Sequence, residues 1–103
     1  MNDDERDDAP AEGDDIVELA LGDVLDLHGF LPRDVREIVA DYLDAAWGAG
    51  FGEVRIVHGK GVGVQREMVR SLLARDPRVA SFADAPGEHG GWGATVVTLR
   101  PRP

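Results

Sequence analysis

Glu53-Val54-Arg55-Ile56-Val57-His58 runs directly into Gly59-Lys60-Gly61-Val62-Gly63, and from there into Val64-Gln65-Arg66-Glu67-Met68-Val69. The first six residues are rich in β-branched side chains with polar residues interleaved, which predicts a strand. The next five include three glycines, a turn signal. Beyond them Val64, Met68, Val69, Leu72 and Leu73 recur at helical spacing and predict an inward-facing stripe on a helix from Val64 to Arg75. Asp76-Pro77 stops that helix, because the residue before a proline is steered away from helical geometry. A strand that turns through glycines into a helix is the first half of a strand–helix–strand unit.

The same unit is legible on the amino-terminal side. Val24-Leu25-Asp26-Leu27-His28, ended by Gly29, alternates apolar and polar residues and predicts a strand. Pro32 suits the first position of a helix, where its missing N–H costs nothing. Val35, Ile38, Val39, Tyr42, Leu43, Ala46 and Trp47 form one apolar stripe, and Gly48 and Gly50 give the stop. On the other side, Val79 to Ala85 predicts a third strand, Pro86 to Gly93 a glycine-rich turn, and Ala94 to Leu99 a fourth strand. The order is βαβαββ. It predicts an α/β two-layer sandwich: a mixed four-stranded sheet with parallel strands joined by helical crossovers, a final antiparallel pair, and two helices packed against the sheet.

A chain of 103 residues is enough for one domain. It contains no cysteine, so disulfides and thiol chemistry are excluded. The acidic start is the reverse of a secretory leader, and no apolar run approaches the roughly 20 residues that a membrane-spanning helix needs. A soluble, cytoplasmic protein without a membrane partner is expected. The net charge of −9 is unevenly spread. Residues 1–15 carry eight acids and one base, whereas residues 16–103 carry 12 acids and 10 bases, a net of −2. Residues 1–15 read as a disordered acidic tail with almost nothing apolar to bury, and 16–103 as the folded domain.

Asp26 and His28 are two apart on one strand and so share a face. An aspartate there can orient the imidazole and fix its tautomer, the minimum equipment of a general base. The alternative is a strand-end pair that only caps a turn. His58 ends the second strand as His28 ends the first. If those strands are parallel neighbours, both rings sit at the carboxyl edge of the sheet, where open α/β sheets bind ligands. One ring could act as base and the other as acid in the attack of a ribose 2′-hydroxyl on its own phosphate. The alternative is that His58 hydrogen-bonds only the loop after it.

The loop amides of Gly59, Gly61 and Gly63 lead into a helix start, a backbone arrangement that attracts phosphate, with Lys60 and Arg66 adding positive charge. The spacing matches neither a Walker A loop nor a dinucleotide fingerprint. Trp92, set among Gly90, Gly91 and Gly93, could stack on an unpaired base or pack back on the fold. His89 has no evident partner. No tight histidine spacing suggests a metal site, and no cofactor is predicted.

Three motifs in order carry a family resemblance. Leu25-Asp26-Leu27-His28-Gly29, His58-Gly59-Lys60-Gly61 and Gly90-Gly91-Trp92-Gly93-Ala94-Thr95 resemble the LDLHG, HGKG and GGxGAT signatures of Smr (small MutS-related) domains. The chain is read as a stand-alone member, with the resemblance covering about residues 24–100. It implies a fold similar to the C-terminal domain of bacterial translation initiation factor three, and nucleic-acid binding. It also implies, for several members, endonuclease activity that cuts RNA or nicks DNA, in some cases at the ribosome. Carried over by motif, it implies a catalytic role for Asp26 and His28 and backbone binding by His58, Gly59, Lys60 and Gly61. Arg66 stands where many members have a basic residue. The rival expectation is a module that binds nucleic acid or the ribosome without cutting. The acidity of the chain departs from what tight non-specific binding would favour.

Overall fold

The computed structural model describes residues 21–59 and 63–103. The acidic segment 1–15 and the residues Lys60, Gly61 and Val62 fall outside the described residues. The elements are β1 (Val24–Asp26), α1 (Val35–Gly48), β2 (Glu53–Val57), α2 (Val64–Arg75), β3 (Val79–Asp84) and β4 (Ala94–Leu99). The sheet order is β1-β2-β4-β3. β1 runs parallel to β2 with Asp26 opposite Val57, and β4 is antiparallel to both β2 and β3. This is the mixed four-stranded sheet with two helices that the residue pattern predicts.

Alternation along the strands decides which side the helices cover. Val54 and Ile56 of β2, Val97 and Leu99 of β4, and Leu27 just past β1 point to one face. There they meet Val35, Val39, Leu43 and Ala46 from α1 and Val69 and Leu73 from α2. Burial of each such valine or leucine stabilises the fold by about 1.5–3 kcal/mol relative to exposure. Both helices therefore lie on one face of the sheet. Two long-range bonds anchor α1: the Tyr42 hydroxyl donates to the Gly22 carbonyl at 2.6 Å, and the Trp47 indole N–H to the Arg100 carbonyl at 3.0 Å. No helix among the described residues is long and apolar enough to cross a membrane.

The element boundaries depart from the expected ones for identifiable reasons. β1 ends at Asp26 rather than His28 because the Asp26 carboxylate itself accepts the His28 N–H at 2.9 Å. A local side-chain bond of this kind competes with the ladder and starts a turn. The Leu27 N–H still reaches the Val57 carbonyl at 2.9 Å, and the Phe30 N–H then turns back to the Leu27 carbonyl. β2 stops one residue early because the His58 N–H leaves the strand register and bonds the Gly93 carbonyl at 3.0 Å. A 3-10 turn, Pro32–Asp34, precedes α1. Val64, expected on the inward stripe of α2, is instead 68% exposed. It is the first helical residue, at the end of α2 that borders a surface cleft, so no core lies beneath it.

Candidate functional site

The parallel pairing of β1 with β2 brings the ends of two strands and the start of a helix to one edge. A cleft of about 350 Å³ opens there, lined by His28, Phe30, His58, Gly59, Gly63 and Arg66 among others. The first histidine is exposed. Its Nδ1 lies 2.7 Å from Asp26 Oδ1. An ionised carboxylate only accepts, so Nδ1 carries the hydrogen and donates it, and in the neutral ring Nε2 then carries the lone pair. That Nε2 lies beside the Gly59 backbone, 3.3 Å from where a Cβ on residue 59 would sit. Gly59 has φ +87°, a left-handed conformation that a side chain would strain. Both the backbone angle and the nearby imidazole therefore call for glycine at 59. The Asp26 carboxyl is held below the usual carboxylate range, first by the His28 backbone N–H and then by its ring.

The second histidine is different. His58 is only 5% exposed. Its Nδ1 meets the Gly59 carbonyl at 3.1 Å and its Nε2 the Thr95 Oγ1 at 2.9 Å. A carbonyl only accepts, so Nδ1 is the donor, and in the neutral ring Nε2 accepts the Thr95 hydroxyl proton. Burial pushes the His58 pKa below its ordinary value, and Arg66 and Arg70 push in the same direction against Gly59 and Asp84. His58 lines the inner wall of the cleft with both ring nitrogens engaged. It ties β2 to β4, reinforced by the Gly93 carbonyl, which accepts from the N–H groups of both His58 and Gly59.

Gly63 precedes α2 with φ +88°, and among the described residues no side chain caps the helix start. The first turn of α2 therefore presents backbone N–H groups that no described side chain caps, at the positive end of the helix. Gly63 also makes room for Trp92: a Cβ there would lie 3.1 Å from the end of the indole. Trp92 is 43% exposed, and the Arg66 guanidinium lies 4.6 Å from its ring centroid. Arg66 also donates to Asp84 Oδ1 at 2.7 Å, an oxygen it shares with Arg70. These cations, Arg66 first, hold the Asp84 carboxyl below its ordinary range.

Asp26, His28, His58, Gly59, Gly63 and Arg66 are thus gathered at one edge, with Trp92 adjoining through Gly63 and Arg66. Lys60 and Gly61 belong to the segment outside the described residues. His89 is elsewhere, beside a separate cleft with Asp23, Glu53 and Arg55. Among the described residues no three His, Asp or Glu side chains cluster as metal ligands. Thr95, Asp84, Arg70 and Phe30 also belong to this edge, and no local sequence signal marks them. Thr95 lies within the third motif, but its partnership with His58 spans 37 residues and depends on the β2–β4 register. The same holds for Asp84 and Arg66, 18 residues apart.

Fold and site together define a small α/β domain whose sheet edge combines an oriented imidazole with a glycine-led helix start. The Smr domain family model matches residues 25–100. The chain belongs to the Smr domain family. It is 46% identical over 77 residues to the protein called endonuclease MutS2 of Thermus thermophilus, and 40% identical over 75 residues to that of Helicobacter pylori. These matches take in 75% and 73% of this chain but 10% of each relative, so the chain spans about a tenth of those proteins. The crystal structure of the Smr domain of Thermus thermophilus MutS2 superposes with a TM-score of 0.73 at 44% identity, covering 78% of this chain and all of that one. The stand-alone small MutS-related protein YdaL of Escherichia coli gives 0.66 at 31%, covering 76% of this chain and 64% of that one.

Proposed function

We propose that the domain binds nucleic acid at the β1–β2 edge and acts there as an endonuclease that cuts RNA or nicks DNA. The observation that carries this reading is the placement of His28. Its Nδ1–H is committed to Asp26, and its Nε2 lies against Gly59 at the cleft. Nε2 would take the proton from the attacking hydroxyl, the ribose 2′-hydroxyl in RNA or a water in DNA. The P–O bond to the 5′ oxygen would break, and that oxygen would regain a proton from the imidazolium or from solvent. The amides at the start of α2, with Lys60 and Arg66, would hold the phosphate. Arg66 already grips the Asp84 carboxylate, which a phosphate would displace or share. His58, with both nitrogens occupied, would shape the edge rather than act as the acid. The nucleic acid and, more remotely, the ribosome are the partners in view.

The test compares His28→Ala with wild type on end-labelled RNA. Loss of a general base lowers the rate about 100- to 10,000-fold. A 2′,3′-cyclic phosphate on the product would mark 2′-hydroxyl attack. Equal cutting by both proteins would remove His28 from the chemistry. One observation favours a second reading, binding without cutting: the only other imidazole at the edge is engaged on both sides. In that case wild type retains RNA with a marked salt dependence but yields no product.

A further inference from the structure

Large apolar side chains are unevenly distributed over this surface. Among the described residues five large hydrophobics are exposed: Val24, Phe30, Leu31, Val64 and Trp92. Phe30 and Val64 line the cleft beside His28, and Leu31 lies between two lining residues, Phe30 and Pro32. Trp92 adjoins through Arg66 and Gly63. Four of the five therefore surround the edge that would hold a phosphate. Apolar residues scattered singly need no explanation, but a group around one cleft marks a binding surface.

Trp92 is the most organised of them. Its neighbours Gly91 and Gly93 offer it no side-chain cover. Instead Arg66 lies over its ring, Asp84 holds Arg66, and Gly63 allows the indole to approach the α2 backbone. The ring is thus fixed in place while nearly half of the residue stays exposed. A flat, pre-positioned indole backed by a guanidinium is a stacking platform for a nucleobase. In a duplex each base face is already covered by its neighbours, so such a platform can be used only by an unpaired or extruded base.

We propose that Trp92, held by Arg66, stacks on an unpaired base next to the bound phosphate, so that this domain selects nucleic acid that is single-stranded at the cleft. The proposal deepens the nucleic-acid reading above and rests on it. The chain has two tryptophans. Trp47 is tied to the carboxyl-terminal segment through Arg100 and Arg102, so Trp47→Phe leaves Trp92 as the sole reporter at the cleft. In that background, a mixed-sequence strand and the same strand annealed to its complement are titrated at low salt, as RNA and as DNA. The single strand quenches Trp92 saturably and the duplex does not.

In the otherwise native chain, Trp92→Leu lowers single-strand affinity roughly 5- to 100-fold. Duplex affinity stays the same, which also reports an intact fold. Trp92→Phe keeps most of the preference. If wild type binds neither form, the parent reading falls and this one with it. If both forms bind and Trp92→Leu leaves their ratio unchanged, this proposal alone is overturned.

Discussion

His28 and His58 end neighbouring strands in the same way and are each followed by glycine, yet their surroundings give them different chemistry. His28 emerges into solvent with a carboxylate on Nδ1, whereas His58 is buried between the Gly59 carbonyl and the Thr95 hydroxyl. The folded state favours neutral His58, because its pKa lies below the ordinary value. The unfolded chain then binds the proton more readily, so His58 costs stability as pH falls below about 6.5, down to the lowered folded value. Above that window it has no pH-dependent effect. The expected outcome is that the urea midpoint of wild type declines between pH 7.5 and pH 5 more steeply than that of His58→Gln, which keeps an acceptor for Thr95. Equal slopes would mean that His58 protonates freely in the fold.

An element can match its predicted span and still differ in which face it buries. α2 runs from Val64 to Arg75, the span that the spacing predicts. Val64 fits the apolar stripe by spacing but lines the cleft and stays exposed, whereas Val69 and Leu73 reach the core. Periodicity reports a helix face, and the end of the sheet decides how far along that face is covered. Leu73→Ala is expected to cost about 2–5 kcal/mol in chemical denaturation, since it leaves a cavity beneath α2. Val64→Ala should change stability by no more than about 0.5 kcal/mol, as exposed substitutions do. A large loss at Val64 would place it in the core after all. β1 teaches the same lesson at its end. Its alternation extends to His28, but the Asp26 carboxylate captures the His28 N–H and ends the strand.

For the molecule as a whole, the balance of charge opposes the proposed partner, because the net charge of −9 repels a polyanion. Most of that excess lies in residues 1–15, with eight acids against one base. Removing residues 1–15 is therefore expected to speed association with nucleic acid at low salt and to do so much less at physiological salt. There the screening length is about 8 Å. Stopped-flow association rates at two ionic strengths measure this directly. An equal gain at both salts would point to direct occupation of the site by the segment, and no gain at either would make it irrelevant to binding.

The order of strands and helices, the one-sided apolar stripes, the three glycine-flanked motifs and the candidate base Asp26–His28 follow from the sequence alone. Each is set by local rules: a period of 2 or 3.6, a turn that needs glycine, two side chains two apart on a strand. Tertiary structure decided which groups remain free to act. It placed β4 between β2 and β3, and that placement delivered Thr95 to His58 and Gly93 to the end of β2. It also seated Trp92 over the start of α2 against Arg66. These contacts join residues far apart in the chain, and their partners are chosen by sheet register and shared burial, which no local pattern encodes.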